Sequence, residues 1–175
     1  MVLSKERCLM RDVVVNHHED FISRPQLIDY GLKHPGIFNV ERLVEEAVAH
    51  ASDGKLEFID GAHMDYPDGS DCKTASIRAN PKAPNSVVHR GEISGVCNAA
   101  GNMKGGALRC VIYNPIEDET LYYFLPKDFW LPRVTFHPTS GVGKLVYTYN
   151  RKRGLITLFE DYRVGSFVEL ARVSD

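Results

Sequence analysis

The chain has 175 residues, 43% of them hydrophobic and 25% charged, with a formal net charge of -2. That is enough chain for a full hydrophobic core without staples, and the near-neutral balance excludes a protein that grips polyanions through a global basic field. Cys8, Cys72, Cys97 and Cys110 form no C-x-x-C pair, which excludes a structural zinc site built from them alone.

In chain order, the first fifty residues read as helical. The run "KERCLMRDVVVNHHEDF" mixes apolar and charged residues, and "SRPQLIDYGLK" offers Ser23 as an N-cap, with Pro25 early and Gly31 near its end. The clearest helix is "NVERLVEEAVAHAS". Asn39 can cap it, Val40, Leu43, Val44, Ala47 and Val48 fall on one apolar face, and Asp53-Gly54 stops it. Glu45 points away from that stripe and reads as solvated, while Glu41 and Glu46 flank it.

After Lys55 the pattern changes to strands. "KLEFID" is short and alternating, "DCKTASI" and "SVVHRGEISGV" follow on either side of the turn-rich "RANPKAPN", and "GALRCVIYN" reads as a buried strand with "TLYYFLP" as its neighbour. "GKLVYTYN-RKRG-LITLFED" reads as a hairpin with a basic turn. Helices first (about 1–52) and strands after (about 55–175) predict a single α+β domain with a mixed, mostly antiparallel sheet rather than a doubly wound fold. No apolar leader and no window apolar enough for a bilayer are visible, so the expectation is a cytoplasmic protein away from membranes.

The acids carry the chemistry. Asp60 closes "LEFID", a loop with further acids follows, and the next strand opens on Asp71-Cys72-Lys73. Residues two apart in a strand project to the same face, so Asp71 and Lys73 are predicted to point together and Cys72 to the other side. The excursion from position 60 to position 71 is short enough to return Asp60 beside Asp71. Two carboxylates are hard ligands for Mg²⁺, with Mn²⁺ as a substitute, and the backbone carbonyl of Cys72 lies within reach of the same ion. Such an ion polarises a phosphate and activates water, and a neighbouring lysine stabilises the developing charge.

Helix glutamate, strand aspartate, then acid-x-lysine resembles the order of the PD-(D/E)XK nuclease superfamily, which includes many restriction endonucleases. The resemblance covers roughly residues 39 to 77. It implies a restriction-endonuclease-like core, with Glu41 as the helix glutamate, Asp60 or Asp68 as the first acid, Asp71 as the second and Lys73 as the lysine. The literal Pro67-Asp68 lies only three residues before Asp71, too close for the usual hairpin, so Asp60 fits the spacing better. A second register makes Asp71 the first acid and places Glu92-Ile93-Ser94 at the acid-x-lysine step. Ser94 then stands where the lysine belongs, and Lys73 or Lys104 has to supply the charge.

The resemblance implies a Mg²⁺-dependent endonuclease on double-stranded DNA, acting as a homodimer so that two sites cut two strands. Arg78, Lys82, Arg90, Lys104, Arg151, Lys152 and Arg153 are the candidate DNA contacts, and the basic hairpin tip is the candidate groove probe. Two other classes compete. One is a non-catalytic nucleic-acid- or protein-binding module whose acids are surface groups. The other is a cysteine hydrolase centred on Cys97, which no flanking motif supports. His17-His18 diverge too far on a helix to chelate, and His63 and His89 read as ordinary loop histidines. The glycine-rich stretch 95–107 lacks the nucleotide P-loop pattern.

Overall fold

A computed structural model describes residues 39–59, 64–98 and 106–174. The expected helices before residue 39, and with them His17 and His18, lie outside the described residues, as do Asp60, His63, Lys104 and most of the glycine-rich stretch.

Helix α1 (Val40–Ala51) forms where its apolar spacing and cap predict it. Asn39 accepts the Arg42 backbone N–H on its side-chain oxygen at 3.2 Å, satisfying one of the orphan donors of the first turn. Leu43, Val44, Ala47, Val48 and Ala51 are buried. The helix stops where Asp53 and Gly54 take left-handed backbone angles, with φ of 56° and 77°.

The strands are β1 (Asp71–Arg78), β2 (Val88–Asn98), β3 (Leu108–Asn114), β4 (Glu119–Leu125), β5 (Thr135–Phe136), β6 (Val142–Asn150), β7 (Leu155–Ile156) and β8 (Arg163–Val164). Two further short helices are α2 (Lys127–Trp130) and α3 (Phe167–Arg172). The strands make one mixed eight-stranded sheet in the order β5-β6-β2-β1-β3-β4-β8, with β7 beside β6. The architecture is thus α+β. Among the described residues no helix is long and apolar enough to cross a membrane.

Two expectations need correction. The segment 56–59 is not a strand, although the Ile59 N–H bonds to the Asp65 carbonyl at 2.8 Å. The hairpin after β6 keeps its turn, but its second arm is only the two residues of β7, because Thr157–Tyr162 winds into a 3-10 helix that buries Phe159. The sheet itself is mixed and mostly antiparallel as expected: one pair, β1 with β3, is parallel, in register from Asp71↔Leu108 to Ser76↔Tyr113.

That parallel pair places the site. β3 is buried along its whole length, as expected of a strand covered on both faces. Val111 and Tyr113 join the core under α1 and α3, with Cys72, Phe124 and Leu170. Cys110 and Ile112 join a second core with Ile77, Ile93, Trp130, Tyr147 and Phe159. β1 meets β2 only at Ile77↔Gly91 and Arg78↔Arg90, while β2 continues along β6. The sheet therefore forks: β1 follows β3 and β2 follows β6, and Asp71 stands at the open end. Gly91 occupies the closed end because a Cβ there would lie 2.3 Å from the Tyr147 ring.

Candidate active site

The residues before β1 are turned inward by a few specific bonds. Tyr66 is fully buried and donates its hydroxyl to the Glu45 carbonyl of α1 at 2.8 Å, with Phe58 packed edge-on against its ring. The Gly69 N–H bonds to the Tyr66 carbonyl at 3.0 Å, and the Ser70 carbonyl accepts from the Asp65 and Tyr66 N–H groups at 3.3 Å each. The turn so formed points the Asp65 carboxylate at the start of β1, where its Oδ2 accepts the Cys72 backbone N–H at 2.6 Å.

Asp71 and Lys73 come together as the strand alternation predicts. Lys73 Nζ lies 2.9 Å from Asp71 Oδ2 and 3.7 Å from Glu41 Oε1. The aspartate is 1% exposed and the lysine 6%. Glu41, Asp71 and Lys73, three of the four expected catalytic residues, therefore form one cluster, and the fourth, Asp60, lies outside the described residues. Cys72 projects oppositely and is buried beneath α1, its thiol pushed far up by burial and by the nearby Asp65 and Glu45.

Two residues of the cluster are not where the sequence reading puts them. Glu45, expected in solvent, is half-buried, and burial with the neighbouring Glu41 raises its pKa. Asp65 is a member that the reading missed. Burial lifts its carboxyl from 3.8 to about 7, helped by a hydrogen bond shared with Asp71 and opposed by the Cys72 N–H. No local signal marks it, because its direction is set by Tyr66 docking on α1 and by the Cys72 N–H. Asp68, the literal acid of Pro67-Asp68, is engaged elsewhere: its Oδ1 accepts from the Ser70 N–H and hydroxyl, and its Oδ2 meets Arg109 at 2.8 Å. Burial raises the Asp68 carboxyl, but these bonds more than offset it and hold the group below its usual range.

Glu41, Glu45, Asp65 and Asp71 thus surround one ammonium. Burial alone would lower the Lys73 pKa, but Asp71, Glu41 and Asp65 outweigh it and keep the amine protonated. With all the acids ionised the cluster carries an excess of three negative charges, which only protons or cations can relieve. Asp71 Oδ2 has no aligned hydrogen-bond donor among the described residues beyond the Lys73 ion pair. Two hard carboxylates with an under-satisfied oxygen fit a small divalent cation that keeps several waters. Among the described residues no three His, Cys, Asp or Glu side chains are gathered closely enough to hold a metal between them, so Asp65 and Asp71 are the side-chain pair on which such binding would rest.

The shared proton has a measurable consequence. The folded Asp65 keeps a proton that the unfolded chain loses above about 4, so its contribution is fully present below that value and lost as pH rises through about 7. The metal-free protein is therefore expected to melt lower at about pH 8 than at about pH 6, and Asp65→Asn should flatten this dependence. Calorimetry in chelator checks it, and an unchanged slope in the variant would remove the shared proton from the account.

The remaining candidates lie elsewhere. Glu92 bridges Arg78 and Lys144 at 3.1 Å each, and Lys144 above all holds its carboxyl below the usual range. In the second register, then, the lysine beside Glu92 is Lys144, and Ser94 is exposed. Arg78, Lys82 and Arg90 are exposed on or after β1 and on β2. At the basic turn Arg151 pairs with Glu117 at 2.6 Å, Arg153 pairs with Glu160 at 2.6 Å, and Lys152 is exposed. His89 is buried with Nε2 2.8 Å from the Ser86 carbonyl, a structural role. Cys97 is buried and its thiol is pushed up by that burial, the opposite of what an activated nucleophile requires.

A comparison with protein-family models matches none, and a comparison with curated proteins finds no significant match.

Proposed function

We propose that this chain is a Mg²⁺-dependent endonuclease that hydrolyses phosphodiester bonds of double-stranded DNA, with a restriction-endonuclease-like core. The observation that carries the reading is the buried Lys73 ammonium, held between Asp71 and Glu41 at the start of β1. Asp65 and Asp71 would hold the ion, with the Cys72 carbonyl, and Asp60 from its adjoining segment, as further oxygen donors. A bound Mg²⁺ or Mn²⁺ supplies Lewis acidity toward the phosphate and an activated water.

The protein's own share is electrostatic. Lys73 stays protonated, so its role is to stabilise charge developing on the phosphate rather than to act as a base. Glu41 pairs with that ammonium from the helix side, and Glu45 adds negative charge beside it. One such site serves one strand, and a homodimer would cut both.

Incubation of the purified protein with supercoiled plasmid tests this. Nicked and linear products that require Mg²⁺ or Mn²⁺ and vanish in chelator are expected. Cleavage that survives Asp71→Ala or Lys73→Ala would sink the assignment. The second reading, a nucleic-acid-binding module without catalysis, draws on the exposed cations Arg78 and Arg90, which stand side by side in register. Binding that ignores metal, with no cleavage, is its signature.

A further inference from the structure

We infer that Arg109 is a positioning residue for the candidate site: it takes the C-terminal helix α3 as its anchor and, through Ser70, fixes where Asp65 stands against Asp71. That Asp65 faces a metal rests on the function proposed above, but the geometry of the link does not.

The two carboxylates are held differently. Asp71 belongs to β1, its N–H bonded to the Ala107 carbonyl at 2.9 Å and its strand paired with β3. Asp65 stands on a turn, which places a side chain less precisely than a strand does. A Mg²⁺ site demands near-ideal ligand distances, so the turn has to be braced by its surroundings. One brace is Tyr66 on α1. The other is Ser70, which is 1% exposed. Its carbonyl accepts the Asp65 and Tyr66 N–H groups, and its N–H and hydroxyl donate to Asp68 Oδ1. Its hydroxyl oxygen accepts the Arg109 Nε–H at 2.9 Å. A shift of Ser70 therefore moves the Asp65 backbone while β3 holds Asp71.

Arg109 carries this brace to α3. Its backbone is fixed on β3 beside Cys72, and its second contact in the turn is Asp68 Oδ2. The guanidinium also donates to the Leu170 and Val173 carbonyls, which the end of α3 leaves without intrahelical partners. α3 spans six residues, too few to be stable without docking. Leu170 and Ala171 are buried in the core shared with α1. Ser166 caps the helix by accepting the Glu169 N–H at 3.1 Å, and Arg172 Nε donates to the Ala51 carbonyl of α1 at 3.2 Å. α1 carries Glu41 and Glu45, so α3 braces both walls of the cluster, the helix directly and the turn through Arg109. Loosening α3 leaves the guanidinium with its two turn acceptors and frees the turn to follow it.

The Cys72 amide reports the position of Asp65, because it donates to Asp65 Oδ2 at 2.6 Å. Its proton resonance in the metal-free, full-length protein is the first measurement, and Mn²⁺ affinity by electron paramagnetic resonance is the second. Arg109→Lys keeps the charge but not the planar fork, and Ser166→Ala removes only a helix cap. Ile156→Ala is the control, a core loss buried beside Tyr149 beyond the closed end of the fork. The Cys72 resonance is expected to move upfield in Arg109→Lys, by less in Ser166→Ala, and to stay in Ile156→Ala. Mn²⁺ affinity should fall about tenfold in Arg109→Lys, as when a group that orients a metal ligand is lost, and hold in the control. Should Arg109→Lys fail to fold, Ser166→Ala decides. A Cys72 resonance unmoved in both variants, an equal shift in Ile156→Ala, or native Mn²⁺ affinity in a folded Arg109→Lys overturns the positioning role and leaves the metal site standing. A native protein that binds no Mn²⁺ while Cys72 responds as expected sinks the metal site and keeps the link from α3 to Asp65.

Discussion

Arg109→Met is expected to destabilise the fold by about 3–5 kcal/mol, a large part of the whole stability of a domain this size. The guanidinium is 1% exposed, yet it touches three separate stretches of chain. Its Nε donates to Ser70 Oγ at 2.9 Å and its NH2 group to Asp68 Oδ2 at 2.8 Å, both in the turn that presents Asp65. It also donates to the carbonyls of Leu170 and Val173 at the end of α3, the latter at 2.9 Å. Its face lies 5.0 Å from the Phe124 ring. Methionine fills much of the volume but leaves two carbonyls, a hydroxyl and half of a carboxylate without their donor, and each buried unmet group costs about 1–3 kcal/mol. Lysine keeps the charge but not the planar fork that spans these acceptors, so Arg109→Lys should recover only part of the loss. Denaturant titration reads both, as a shift of the midpoint at constant slope. A loss below about 1 kcal/mol for Arg109→Met would mean that the buried hub is not what ties the turn to α3.

That hub shows where sequence reading ends. α1 was legible because helical period, Asn39 and Asp53-Gly54 all agree, and β3 because a mostly apolar run between turn signals leaves few options. Asp71 and Lys73 were legible as a pair because alternation is local. What escaped depends on partners far along the chain. Arg109 lies 41 residues from Asp68 and 64 from Val173, and although its strand reads as buried, nothing local names the acceptors that hold its charge there. Glu45 looked solvated because the helix pattern knows only its own apolar stripe, not that the turn bearing Tyr66 would fold onto its other side. Asp65 escaped for the same reason, since its direction follows from Tyr66 docking on α1 and from the Cys72 N–H. The parallel pairing of β1 with β3, which opens the fork, has no local signature at all.

Lys73→Met and Asp71→Asn are expected to abolish cleavage in different ways. An electrostatic donor aimed at developing charge contributes on the order of 10²–10³ in rate, so Lys73→Met should fall by at least that factor under saturating Mg²⁺. It should not lose the ion. Removing the ammonium 2.9 Å from Asp71 Oδ2 frees that oxygen of its competing cation, so the affinity of the metal-free protein for Mn²⁺ should stay or rise. Asp71→Asn removes a hard anionic ligand and half of the shared-proton pair with Asp65, and should lose both metal affinity and turnover. Mn²⁺ titration followed by electron paramagnetic resonance separates the two cases without any need for activity, and plasmid cleavage supplies the rates. If Lys73 served only to neutralise a buried carboxylate, the two variants would differ in stability but share one metal affinity. Turnover within tenfold of the native protein in either variant would take the reaction away from this cluster, because Asp71 and Lys73 are its two most buried charged groups and lie 2.9 Å apart.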